Sequence, residues 1–218
     1  MTRPSGTTPM GNTGNDELYA DGLVNRALDL RTQPLEIQEF LNTEEALVHE
    51  LVPDGAAVVD LGCGAGRHLM GLAGLKLGVG VDYEPSYIAQ ARRLRPPPNL
   101  HFIVGDATAV PLGRTFDVAV CLASTWGTMS DKLAVLDEMK RLAPRFGGRL
   151  ITVYGQTSVE PRLEWYRNMG QDVVDVTDEH LQTKDGFVSE HFTEDRIRKL
   201  VGDCTLHPIG TVGYMVQT

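Results

Sequence analysis

Three carboxylates and a run of alternating glycines mark the part of this chain able to do chemistry. Asp60 closes the apolar run Val58-Val59, and Gly62, Gly64 and Gly66 follow at alternate positions, with Cys63 and Ala65 between them. Glycine is required where a backbone must bend with positive φ and lie close to a partner. The helical pattern that begins at Arg67-His68 would leave its first N–H groups free to bind a nucleotide-like ligand. Asp82 lies 20 residues after Gly62, at the end of a second apolar run, and Asp106 ends a third. A carboxylate in the place of Asp82 can accept from both hydroxyls of a ribose. Asp106 can accept from an adenine amino group. An acid at a strand end can equally be a helix N-cap. The three acids at consecutive strand tips, beside one glycine turn, favour the ligand reading.

The elements that must carry these groups alternate. Residues 56–61 read as a strand, 67–75 as a helix and 77–81 as a second strand. A helix opens at Pro85 and stops before Pro96-Pro97-Pro98. Residues 100–104, 116–122 and 148–154 read as further strands. A helix runs between the last two, capped at Ser130, with the stripe Leu133, Leu136, Met139 and Leu142. This rhythm implies a doubly wound, mostly parallel sheet with helices on both faces, and the near-continuous apolar strands suit burial on both sides. Ligands of such sheets bind outside the carboxyl ends of the strands. Ser124, Thr125, Trp126 and Tyr154 join the acids at that edge.

Residues 16–53 form a helical segment interrupted at Pro34. Residues 155–192 contain possible strands at 172–176 and around the Asp185-Gly186 turn, and read as a substrate-side insertion. Thr193 caps a last helix, and residues 204–209 and 212–216 make a terminal antiparallel strand pair. Residues 1–15, mostly Gly, Thr, Pro, Ser and Asn, read as a disordered leader. The remaining residues, 16–218, read as one domain.

Composition narrows the function. A net charge of −9 in 218 residues argues against nucleic acid as partner. No apolar run of about 18 residues suggests a membrane span. The N-terminus does not read as a signal peptide. Cys63, Cys121 and Cys204 are far apart, without metal-ligand spacing, so a reduced, cytoplasmic protein without bound metal is expected. Oligomeric state is not encoded in any feature of the sequence. The dinucleotide fingerprint G-x-G-x-x-G fails because Arg67 stands where its last glycine belongs, which leaves a nicotinamide-dependent oxidoreductase disfavoured.

In its ordered motifs the chain resembles the class I S-adenosylmethionine-dependent methyltransferases. The resemblance covers roughly residues 45–155 and the terminal strand pair. It rests on Asp60-Leu61-Gly62-Cys63-Gly64-Ala65-Gly66, Gly80-Val81-Asp82, Gly105-Asp106-Ala107, Phe116-Asp117-Val118-Ala119-Val120 and Gly147-Gly148-Arg149-Leu150. It implies a Rossmann-like seven-stranded sheet and S-adenosyl-L-methionine as cofactor. Gly62, Cys63, Gly64 and Gly66 would pass beneath its methionine part, and Asp60 would orient that turn and reach the amino group. Asp82 would hold the ribose, Tyr83 the adenine face, and Asp106 and Ala107 the adenine edge. The backbone around Leu122 would meet the methionine end. Arg67, or Tyr19 and Arg26 on the N-terminal segment, would reach the carboxylate.

The acceptor is then expected to be a small molecule methylated on O or N. No Asn-Pro-Pro-Tyr-like sequence or acidic pair follows the fourth strand, and the insertion is short. Ser124, Trp126, Tyr154 and Trp165 are substrate-side candidates. The indole of Trp126 either stacks on substrate or packs under its loop, and Trp165, with Tyr166 and Met169, either lines a pocket or packs. His180, His191 and Tyr154 are the candidates for a general base, which only an acceptor that must lose a proton needs. The alternative is a protein that binds the cofactor without transferring its methyl group, or uses it for another reaction.

Overall fold

In this computed structural model Asp29 and residues 31–218, except Gly147, are described. Helix α1 (Leu35–Leu51) begins directly after Pro34, whose side chain gives it no cap. The alternating part comprises β1 (Ala57–Leu61), α2 (Arg67–Gly71), β2 (Leu77–Asp82), α3 (Pro85–Arg93), β3 (Leu100–Val104) and β4 (Val118–Cys121). It continues through a 3-10 turn (Thr125–Thr128), α4 (Lys132–Leu142) and β5 (Arg149–Tyr154). The strands assemble in the order β3-β2-β1-β4-β5-β10-β9. β10 (Gly213–Gln217) runs antiparallel to both β5 and β9 (Thr205–Ile209). The other pairings are parallel.

β1 lies near the middle of this sheet and every one of its residues is buried. Its side chains alternate between two cores. Val58 joins the layer that holds Ile37 and Phe40 of α1, Leu69 of α2 and Ile88 of α3. Val59 and Leu61 join the layer that holds Leu136 and Met139 of α4 and Ile197 of α6 (Glu194–Val201). The same alternation puts Leu150 and Tyr154 of β5 on the α1 face, and Ile151 and Val153 on the other. Asp60 and Thr152 share the parity of the α1 face.

The expected strands stand within a residue or two of their places, and Pro85 opens α3 at its first position. Three details differ from expectation. Helix α2 is only five residues long, because the chain turns extended at Leu72 and left-handed at Gly74. The cap of α4 is Asp131 rather than Ser130, its carboxylate accepting from Ala134 N at 2.9 Å. The insertion holds a helix, α5 (Val159–Asn168), before its strands β6 (Val173–Val176), β7 (His180–Thr183) and β8 (Val188–Glu190). These three form a separate antiparallel sheet, with the Asp185-Gly186 turn joining β7 to β8. Among the described residues no helix is long and apolar enough to cross a membrane.

Candidate functional site

The glycine turn is stitched to the tip of β2. Gly62 N and Cys63 N both donate to Val81 O, at 2.8 and 3.1 Å. Gly64 N donates to Asp82 Oδ2 at 2.8 Å, while Asp82 Oδ1 accepts from Glu84 N at 2.9 Å. Gly62, Gly64 and Gly66 have φ of 78°, 52° and 84°, a region closed to most side chains. Space forbids them as well. A Cβ on Gly62 would lie 2.5 Å from Thr125 Cγ2, and one on Gly66 would lie 2.4 Å from the Phe102 ring. Asp82 therefore braces the turn in addition to facing the strand edge, a role its motif alone does not show.

Asp60 sits beneath this turn with 1% of its surface exposed. Among the described residues neither of its carboxylate oxygens has a hydrogen-bond partner. Burial, reinforced by the Asp82 and Glu44 charges and opposed by His68 and Arg67, pushes its pKa up to about 6. Burial also raises the carboxyl of Asp82, against the pull of the two N–H groups that it accepts. The Cys63 thiol is held protonated by burial and by the Asp60 and Asp82 charges.

Across from the turn, the chain leaves β4 through two consecutive non-glycine residues with positive φ, Ala123 (54°) and Ser124 (56°). Such residues persist only where their surroundings over-determine them. Here the restraint is Glu44 of α1, which is fully buried. Glu44 Oε1 accepts from Ala123 N at 2.6 Å and from the Thr152 hydroxyl of β5. Glu44 Oε2 lies 2.9 Å from His68 Nε2 and 3.2 Å from the Arg67 guanidinium. Burial alone would raise the Glu44 carboxyl, but His68, Arg67 and Thr152 together hold it below its ordinary value. Ser124 N donates to Thr152 Oγ1 and Ser124 Oγ accepts from Tyr154 N, each at 3.2 Å. One glutamate thus ties α1 to the start of α2, the tip of β4 and the middle of β5. No motif signals Glu44. Its role follows from contacts 23 to 108 residues away in the chain.

The structure distributes the remaining candidates unevenly. Leu122 is buried at the β4 tip and Ala107 is half-buried after β3. Tyr83 is 42% exposed at the tip of β2. Asp106 is exposed and its Oδ1 accepts from the Thr108 amide and hydroxyl, at 2.8 and 2.7 Å, forming a local turn. Arg67 faces Glu44 and Glu45 of α1. Trp126 is fully buried, stacked on Phe192 at 5.5 Å, with its indole N–H donating to Lys132 O. The ring packs under its loop. Trp165 is also buried, against Tyr166.

His180 is held by Thr177 and Asp175 within the insertion. His191 is buried 3.4 Å from the Arg162 guanidinium, and burial followed by the Arg162 charge lowers its pKa, which favours a neutral ring. Tyr154 is buried between elements, with Phe40 and Arg162 against its ring. Burial raises its hydroxyl far above the ordinary range, which disfavours a phenolate base. Tyr19 and Arg26 lie outside the described residues.

The site thus gathers at one sheet edge a glycine turn, a bracing acid, an unpartnered acid and a strained loop. Residues 58–147, which carry all four, match the family model described as a methyltransferase domain. A dTDP-3-amino-3,6-dideoxy-alpha-D-glucopyranose N,N-dimethyltransferase of Streptomyces fradiae is 33% identical over 99 residues, 45% of this chain and 38% of the relative. A demethylmenaquinone methyltransferase of Beutenbergia cavernae is 35% identical over 99 residues, 44% of this chain and 40% of the relative. The chain therefore matches about two-fifths of the length of these curated relatives. A magnesium protoporphyrin IX methyltransferase from Synechocystis, solved with SAH, superposes with a TM-score of 0.61 at 17% identity, covering 93% of this chain and 95% of that one. The seven-stranded sheet and its flanking helices share the Rossmann-like fold of that solved methyltransferase.

Proposed function

We propose that this protein is an S-adenosylmethionine-dependent methyltransferase acting on an O or N atom of a small molecule. The observation that carries the reading is Asp60: a buried, unpartnered carboxylate under a glycine turn that side chains could not occupy. Leaving an acid in this state costs stability unless a bound cationic group satisfies it. The amino group of S-adenosylmethionine has that charge. Asp82 keeps lone pairs beyond the two that accept from Gly64 N and Glu84 N, and can take ribose hydroxyls. Tyr83 and Asp106, exposed on the neighbouring strand tips, fit an adenine ring and its edge.

When bound, the cofactor supplies a methyl group already activated on a sulfonium. The chain's own work is then orientation. The Glu44-pinned bend at Ala123-Ser124 fixes the wall facing the glycine turn, and β5 with the insertion bounds the acceptor side. Holding the reacting atoms in line supplies the rate by proximity. An unprotonated amine needs no base, which agrees with the raised Tyr154 hydroxyl. The relatives that act on an amino sugar, a quinone precursor and a porphyrin support an acceptor of metabolite size.

Calorimetry with S-adenosylhomocysteine is the first test. Micromolar-scale binding is expected, lost in Asp82→Ala. Transfer of labelled methyl from S-adenosylmethionine to a metabolite extract separates an enzyme from a protein that only binds the cofactor. Absence of S-adenosylhomocysteine binding would reject the reading.

A further inference from the structure

Among the described residues a buried arginine on the insertion has no acid beside it. Arg162 of α5 is fully buried. Among the described residues it forms no ion pair with a carboxylate, although this chain carries 29 acidic residues. Its neighbours are neutral: the Tyr154 ring at 4.7 Å, the Tyr166 ring at 5.9 Å, Ser158 Oγ at 3.3 Å, His191 Nδ1 at 3.4 Å and Ser189 O at 2.6 Å. A guanidinium has five N–H donors. Nη1 donates to Ser158 and lies against His191, and one Nη2 hydrogen serves Ser189 O. Among the described residues the Nε–H has no acceptor. The unused donors are therefore Nε–H and one on Nη2, on two nitrogens of the same fork. That pair matches the two oxygens of a carboxylate or phosphoryl group. One helical turn further along α5, the buried indole N–H of Trp165 also lacks an acceptor.

The location connects this group to the acceptor side. Arg162 rests on Tyr154 at the tip of β5, and Tyr154 N is bonded to Ser124 of the strained bend. We propose that the acceptor substrate carries an oxyanion, a carboxylate or phosphoryl group, and that Arg162 binds it through these unused donors of its guanidinium. The inference rests on the methyltransferase reading, since it assigns the anion to the acceptor. Asp60 then takes the cation of the cofactor and Arg162 the anion of its partner substrate. Ser189 of β8 covers Arg162, so entry requires β8 to part from α5.

The full-length chain, saturated with S-adenosylhomocysteine, is titrated with acetate, phosphate and pyrophosphate against chloride at constant ionic strength, reading tryptophan emission. Saturable binding of at least one oxyanion, and none of chloride, is expected. The preferred anion tells carboxylate from phosphoryl. Arg162→Lys keeps the charge and loses the fork. It should weaken that binding at least tenfold while S-adenosylhomocysteine affinity stays within twofold. Arg162→Gln should abolish saturation. No saturation in the wild type overturns the inference, whether or not the variants fold. So does wild-type oxyanion affinity in either folded variant. Calorimetry on the same sample separates the two readings. Cofactor binding without an oxyanion response overturns this inference alone, whereas an oxyanion response without cofactor binding overturns the methyltransferase reading.

Discussion

Asp60 carries the most direct consequence at the level of single residues. Its pKa of about 6 in the folded protein exceeds the ordinary carboxylate value of 3.8. An acid whose pKa is raised by folding binds its proton more tightly in the native state. It therefore costs nothing below the unfolded value, and its full penalty is present above pH 6. That penalty is about 3 kcal/mol for a shift of this size. Asp60→Asn should raise stability in urea unfolding at pH 8 by about 1 to 3 kcal/mol, part of the gain being offset by the amide's own unmet hydrogen bonds, and should not raise it at pH 4. The same acid sets the pH dependence of ligand binding. A cationic amino group prefers the ionised carboxylate, so S-adenosylhomocysteine affinity should fall about tenfold per pH unit below 6. Calorimetry across pH 5 to 8 should show that slope in the wild type and none in Asp60→Asn.

Between elements, the glycine turn depends on a ring from β3, the strand whose tip leads to Asp106. The Phe102 ring of β3 fills the notch between Gly66 and Gly80. A Cβ on Gly80 would lie 2.6 Å from that ring and 2.7 Å from Cys63 Sγ. Gly80→Ala should therefore destabilise by about 1 to 3 kcal/mol through overpacking, shifting the turn together with Cys63. Part of the clash is with the Phe102 ring, so Phe102→Leu should recover part of the loss when the two changes are combined. A thermodynamic cycle on denaturation midpoints would give a coupling energy above about 0.5 kcal/mol. Strictly additive costs would show that the ring does not set the position of the turn. Gly66→Ala lacks this remedy, because its φ of 84° strains any side chain regardless of space.

For the whole molecule, Glu44 decides how α1 is joined to the sheet. Its carboxylate is held below its ordinary value, the opposite sign to Asp60. A depressed acid contributes stability that is present above its unfolded pKa of about 4.3 and lost as pH falls through the folded value. Glu44→Ala leaves Ala123 N, the Thr152 hydroxyl, His68 and Arg67 without their shared acceptor. The loss should be about 3 to 5 kcal/mol at pH 7, as for other broken buried ion pairs. The gap between variant and wild type should narrow as the pH is taken below 4 in the same denaturation assay. A gap independent of pH would mean that packing, rather than charge, docks α1.

Local sequence determined the frame and half of the site. Apolar runs of strand length alternating with helical stripes dictate a parallel sheet, because each run must be buried on both faces. The spacing Asp60, Gly62, Gly64, Gly66 and Asp82 needs only a strand, a turn and a second strand beside the first. Helix α5 escaped this reading because Glu160, Pro161, Arg162, Glu164 and Arg167 interrupt its apolar stripe, although Pro161 is tolerated in a first turn. What only the folded chain decided is who meets whom across long separations. Glu44 looks like any acid on a helix until β4 and β5 bring Ala123 and Thr152 to it. The sequence leaves Trp126 either stacked on substrate or packed under its loop and singles out nothing about Arg162, until burial places the indole on Phe192 and leaves the guanidinium among neutral groups. Periodicity records which face of an element is buried, and carries no information about the partner that buries it.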